Sequence, residues 1–148
     1  MPNTLLLDTG PLGLLAHDRK SIREPIQTWL VQEMTAGATV YLSEVADYEL
    51  RRELIRLIQA KQLPASRIAR LDQLVPLFTY LPVSTSTWKH AAELWADARQ
   101  RGRPTASPSA LDADALIAAQ AIEVQATVLT GNRRHLQQWV TVQTWPLI

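Results

Sequence analysis

The sequence predicts an α/β fold with a mostly parallel central sheet flanked by helices. Thr4-Leu5-Leu6-Leu7 is a short apolar run closed by Thr9-Gly10-Pro11, which is the pattern of a strand buried on both faces. Further short β-rich runs alternate with longer segments of helical apolar spacing, the order that builds parallel sheets from crossover units. Asp8 directly follows the first strand. In open α/β sheets ligands bind along the edge formed by the carboxyl ends of the strands.

The elements follow in order. Pro11 suits the first turn of a helix over residues 11–18, where no amide hydrogen is needed. Ser21 with Glu24 three residues on has the pattern of a capping box. The helix it opens places Ile22, Ile26, Trp29, Leu30 and Met34 at helical spacing and stops by Gly37. Residues 38–42 form a second strand. Ser43 caps the next helix, in which Val45, Tyr48, Leu50, Leu54 and Ile58 are apolar and Arg51, Arg52, Glu53, Arg56 and Lys61 lie on the wet side. A helix restarts after Pro64 and is shortened or bent by Pro76. A short edge strand falls near 79–83 and a helix over 86–100. Residues 101–109, with Gly102, Pro104 and Pro108, read as a loop. An Ala-rich helix spans 111–124, a buried strand 126–130, a turn and short helix 131–138, and a final strand 139–145.

At 148 residues the chain has the length of a single ordinary domain, 1–148. Its 47% hydrophobic and 20% charged residues are typical of soluble globular proteins. No apolar run approaches the ~20 residues of a membrane span, and the first residues lack the pattern of a secretory signal. There is no cysteine, which excludes disulfides, thiolate metal sites and a Cys nucleophile and suits a cytoplasmic location. A net charge of +1 is too mild to name nucleic acid as a partner by itself. Trp29, Trp88 and Trp95 sit at apolar helical positions, which favours core or dimer packing over base stacking. His17 and His90 have no ligand spacing. Ser43 has no base placed for it and is no nucleophile candidate.

The acids carry the chemical signal. Asp8 ends the first strand, Glu49 lies in the helix after the second, and Asp112 and Asp114 open the Ala-rich helix. Thr130-Gly131-Asn132 makes a polar turn at the same edge. Each acid also has a plainer reading. Asp8, Asp112 and Asp114 could serve as helix caps, and Glu49 could belong to a solvated helix face. If they converge, carboxylates a few ångströms apart raise one another's pKa, and a hard divalent cation resolves the conflict. Mg²⁺ or Mn²⁺ takes oxygen ligands and can activate water and stabilise charge in phosphodiester cleavage.

Taken together, these segments resemble the PIN-domain ribonucleases, specifically the VapC-type toxin half of VapBC toxin–antitoxin pairs. Leu5-Leu6-Leu7-Asp8-Thr9-Gly10-Pro11-Leu12 resembles the family's opening strand with its first metal acid. Leu42-Ser43-Glu44-Val45-Ala46-Asp47-Tyr48-Glu49-Leu50-Arg51-Arg52 resembles its second motif, where the acid before Leu is the functional one. Asp112-Ala113-Asp114-Ala115-Leu116-Ile117-Ala118-Ala119 is similar to the third, with Asp114 in the usual acid position. Leu129-Thr130-Gly131-Asn132-Arg133-Arg134-His135-Leu136 resembles the fourth. One departure is clear: His135 stands where the family usually has a fourth acid. Asp112, two residues before Asp114, is a candidate to supply that carboxylate.

The resemblance implies a PIN-like α/β/α sandwich and Mg²⁺- or Mn²⁺-dependent endonucleolytic cleavage of RNA. Asp8, Glu49 and Asp114 would be catalytic, and with Asp112 they would hold the metal. Thr9, Thr130, Asn132 and His135 would shape the site. RNA must approach an acidic crevice, so basic residues at its rim would guide it. The candidates are Arg51, Arg52, Arg99, Arg101, Arg103, Arg133 and Arg134. Implied partners are a tRNA or another structured RNA, a small cognate antitoxin protein and a second copy in a homodimer, with no membrane. The rival reading is a PIN fold with a weakened site, suggested by His135, that binds RNA or protein without cutting. A phosphotransferase would want a second Asp two residues after Asp8, where this chain has Gly10, and no phosphate-cradling Gly-rich loop is present.

Overall fold

Leu5, Leu6 and Leu7 are each at most 1% exposed, as a strand covered on both faces requires. The structure, a computed structural model, describes residues 3–101 and 108–146, and only the backbone of 108–111. Its elements are β1 (Thr4–Leu7), α1 (Thr9–Leu15), α2 (Lys20–Thr35), β2 (Thr39–Ser43), α3 (Glu44–Gln59), α4 (Ser66–Leu74), β3 (Thr79–Leu81), α5 (Thr85–Gln100), α6 (Pro108–Val124), β4 (Thr127–Thr130) and β5 (Val142–Thr144). A single 3-10 turn at Val75–Leu77 holds Pro76 and ends α4. The strands form one five-stranded sheet in the order β3-β2-β1-β4-β5. Every pairing is parallel, so the expected mostly parallel sheet is fully parallel among the described residues.

Strand alternation sorts the helices into layers. Leu6 and Val128 pack with α5 and α6 through Ala91, Leu116, Ile117 and Ala121. Leu5, Leu7 and Leu129 point the other way, onto Leu15, Ile26 and Leu30 of α1 and α2. Leu12, Leu42, Ala46, Leu54 and Leu71 join α1, α3 and α4 beside them. Buried Gln120 of α6 ties one helix layer to the sheet. It accepts from Ser43 Oγ at 2.6 Å and donates to the Leu81 carbonyl at 2.9 Å.

The topology locates the site. The chain lays β2 and β3 on one side of β1, then places β4 and β5 on the other. The order reverses between β1 and β4, and at such a switch point the crevice beyond the carboxyl ends opens. Asp8 N donates to the Leu129 carbonyl at 3.0 Å, which locks the two strand ends together there.

Several expected details are corrected. The Ser21–Glu24 capping box does not form. α2 begins at Lys20 without a side-chain cap; Ile22 N and Arg23 N already bond to the Arg19 carbonyl, so Ser21 lies inside the first turn and cannot serve as the N-cap. A real capping box opens α5, between Ser84 and Thr87. α6 starts at Pro108 instead of 111, since proline suits the first helical turn. Residues 131–138 form turns and no helix. The final strand keeps only Val142–Thr144, because Trp139 and Val140 pack against the α5–α6 layer. Of the predicted loop, residues 102–107 lie outside the described residues. Among those described, no helix is long and apolar enough to cross a membrane.

Candidate active site

Asp8 has two roles at once. It is the N-cap of α1, accepting from Thr9 N at 2.8 Å. Its other oxygen accepts from Thr130 Oγ1, the last residue of β4, at 2.8 Å. Burial pushes its carboxyl up from the ordinary range, while these two hydrogen bonds and nearby His135 pull it down.

Glu49 comes from α3, one turn after buried Val45. Val45 sets the face, so its i+4 neighbour leans toward the crevice. There Thr9 Oγ1 donates to Glu49 Oε1 at 2.7 Å. Tyr48, expected on an apolar face, is 60% exposed and lies under the Arg52 guanidinium. The other acids of this helix have other partners. Glu44 accepts from Val83 N, Asp47 takes Arg51 and Tyr80 Oη, and Glu53 takes Arg56.

Asp114 lies in the second turn of α6, because the helix starts earlier than expected. It is therefore not a cap. Ala115, Ala118, Ala119 and Ala121 are all buried, so the helix backbone packs close to the sheet and carries the carboxyl inward. Its side chain is 18% exposed and lies 3.2 Å from His135 Nδ1. Burial, then the charge of Asp8, and more weakly that of Glu49, push its pKa up to about 6, while His135 opposes the shift. Three acids from distant parts of the chain thus feel one another's charge.

The turn after β4 is held by its own polar groups. Asn132 N donates to Thr130 Oγ1 at 3.1 Å, and Asn132 Oδ1 accepts from Arg134 N at 3.1 Å. This turn presents His135. Asp112 stands apart: two residues are about 200° around a helix, and its side chain is exposed on a neighbouring groove. That groove, of about 1100 Å³ between α3, α5 and α6, is lined by Tyr48, Glu49, Trp88, Trp95, Asp112 and Leu116.

The basic candidates differ in how free they are. Arg51 is engaged by Asp47 and Asp72, at 3.0 and 2.8 Å. Arg101 pairs with Asp97, Arg99 covers the Trp95 ring, and Arg52 stands 3.7 Å from Glu49. Arg133 and Arg134 are exposed beside the His135 turn. Arg103 lies outside the described residues. Ser43 is fully buried, caps α3 and is used up by Gln120.

The donor set suits a hard divalent cation. Asp8, Glu49 and Asp114 offer carboxylate oxygens, and their unrelieved repulsion shows in Asp114. Among the described residues no three such side chains are already drawn into a ready-made metal cluster, so closing round a cation would need side-chain movement.

The family model for the PIN domain matches residues 5–138. No curated protein matches the sequence. Among solved structures, the chain is similar to FitAcB from Neisseria gonorrhoeae, with TM-score 0.70, 27% identity, and coverage of 93% of this chain and 95% of that one. It is also similar to VapBC2 from Rickettsia felis bound to a DNA fragment from their promoter, with TM-score 0.71, 18% identity and coverage of 96% and 98%. VapBC from Salmonella typhimurium gives TM-score 0.64 at 18% identity, covering 97% and 98%. These neighbours agree with the VapC-type likeness read from the four motifs, and the chain belongs to the PIN domain family.

Proposed function

We propose that this chain is a metal-dependent RNA endonuclease, the toxin of a type II toxin–antitoxin pair. One observation carries the reading: Asp114 is pushed up to about 6 by burial, then by the charge of Asp8 and more weakly that of Glu49, acids from two other elements. Membership of the PIN domain family supports it. The VapBC and FitAcB neighbours support an antitoxin partner. The groove beside Glu49, with Trp88 59% exposed, offers apolar surface for protein, either that antitoxin or a second copy in a homodimer.

In this reading Asp8, Glu49 and Asp114 would hold Mg²⁺ or Mn²⁺, and Asp112, exposed on the neighbouring groove, would stay outside the shell. When bound, the cation supplies Lewis-acid activation of water and offsets charge developing at phosphorus. The chain does the rest. Thr9 Oγ1 fixes Glu49 Oε1, while the Thr9 amide and Thr130 Oγ1 fix the two oxygens of Asp8, and the second lone pairs of these oxygens are left to bind. Asn132 fixes the turn beside them. Arg133 and Arg134, exposed at the rim, draw phosphates toward an otherwise acidic crevice. The protein acts as a single cytoplasmic domain on a structured RNA such as tRNA.

The test is a mixed cellular RNA pool incubated with antitoxin-free protein, in Mn²⁺ or Mg²⁺ and in EDTA, beside Asp8→Asn. Defined fragments that need metal and vanish in the variant are expected. Folded protein that neither cuts RNA nor binds Mn²⁺ defeats the enzyme reading. It would promote the second reading, a PIN-fold binding module, which is favoured by His135 standing beside Asp114 in place of a further acid.

A further inference from the structure

His135 is the one residue of the site that departs from the four-motif pattern, and its surroundings are specific. Each of the three acids has one oxygen tied to a hydrogen-bonding neighbour. Thr130 serves Asp8 and Thr9 serves Glu49, at 2.8 and 2.7 Å. For Asp114 that place is taken by His135 Nδ1, 3.2 Å from Oδ2. The backbone at His135 is itself held. It sits on the turn braced by Asn132, and the His135 carbonyl accepts from Gln138 Nε2 at 3.2 Å. With 27% of the His135 side chain exposed, the ring is not sealed in.

We propose that His135 is the positioning residue of Asp114. Its Nδ1–H donates to Asp114 Oδ2 and turns the other oxygen toward Asp8. This role extends the cation reading above and rests on it. It follows the chemistry of the neighbouring pairs. Two hydroxyls and one imidazole N–H each hold one oxygen of a carboxylate, and the remaining lone pairs stay available to a cation. The competing arrangement makes His135 a ligand through Nε2. The two differ in which nitrogen matters, and the fixed tautomer decides between them.

The experiment uses side chains that mimic one nitrogen at a time. In His135→Asn the amide nitrogen falls near the position of Nδ1; in His135→Gln it falls near that of Nε2. Mn²⁺ affinity of the full chain is measured by calorimetry and by electron paramagnetic resonance, for wild type, His135→Asn, His135→Gln and His135→Ala. Removing a hydrogen-bond partner behind a ligand typically weakens metal binding ~10–100-fold. We therefore expect a loss of at least about tenfold in His135→Gln and His135→Ala, while His135→Asn stays close to wild type. Nitrogen-15 spectra of the metal-free protein near pH ~8, where imidazole is ordinarily neutral, should show the Nδ1–H tautomer. Asp114→Ala should release it to the other form.

An Nε2–H tautomer in the wild type, equal affinity in all four proteins, or rescue by Gln in place of Asn overturns the proposal and leaves the cation reading standing. Wild-type protein that takes up no Mn²⁺ overturns the cation reading, and the positioning role falls with it.

Discussion

Asp114→Asn should make the metal-free protein more stable while removing the function proposed for it. The carboxyl is displaced from 3.8 to about 6, and its side chain is only 18% exposed. At 1.36 kcal/mol per unit this displacement corresponds to roughly 3 kcal/mol against the ionised form. Allowing for residual solvent, about 2 kcal/mol is a fair expectation, a large share of an ordinary domain stability of ~5–15 kcal/mol. The asparagine keeps the shape, and its amide oxygen can still accept from His135 Nδ1. The sign follows from linkage. The folded pKa is raised, so Asp114 favours the folded state below about pH 4, and this contribution is lost as pH rises through about 6. The difference between variant and wild type should therefore vanish below pH ~4, grow between ~4 and ~6, and stay constant above that window.

Urea denaturation of both proteins in EDTA, over that pH range, measures it. Mn²⁺ at about 100 times its dissociation constant should then stabilise wild type alone by ~2.7 kcal/mol and close the gap. A variant no more stable than wild type at pH ~8 in EDTA would refute the claim that burial, with the charge of Asp8, holds Asp114 above its ordinary range.

Two smaller predictions follow from individual contacts. Thr130→Val keeps the shape but removes the donor to Asp8. Hydrogen bonds to charged groups contribute about 1.5–3 kcal/mol, so the Asp8 carboxyl should titrate higher in carbon-13 spectra, and an unchanged titration would show that the bond does not act on Asp8. Lys61 and Gln125 follow α3 and α6 in the left-handed region, at φ 59° and 56°. Gly37 holds the equivalent place after α2 at φ 102°. Lys61→Gly and Gln125→Gly should each raise stability by ~0.5–1 kcal/mol, less than the ~1–2 kcal/mol backbone penalty because glycine also loosens the unfolded chain. A lower urea midpoint would contradict this.

The sheet is legible in the sequence because its strands are buried on both faces. Leu5-Leu6-Leu7 and Val128-Leu129 have no polar alternative, so their period and place are unambiguous. What misleads is a residue whose local signal is outbid by a nearby group. Ser21 and Glu24 carry capping letters, but the helix starts earlier, with Ile22 N and Arg23 N bonded to the Arg19 carbonyl. Trp139 and Val140 look like a strand because burial alone sets hydropathy, and burial against α5 and α6 needs no strand pairing. Asp112 and Asp114 look like caps only if the helix starts at residue 111. Its start at Pro108 moves both acids into the second turn.

The site is legible to a different degree at each acid. Asp8 is visible from its neighbours alone, since it directly follows a buried strand. Glu49 is not: α3 carries Glu44, Asp47, Glu49 and Glu53, and spacing cannot rank them. The structure ranks them by what else each one holds. Glu44 binds a backbone amide, Asp47 an arginine and a tyrosine, and Glu53 an arginine. Glu49 has Thr9, forty residues away in the chain, and a long contact with the largely exposed Arg52, which solvent weakens. The acids paired to arginines or to backbone serve the fold, and their charge is spent there. Those held by threonine and histidine are oriented while their charge is kept. A lysine at position 9 would relieve the repulsion, but it would cancel the charge that a cation must meet. The strain read in Asp114 is therefore what a cation-binding site should store before its cation arrives.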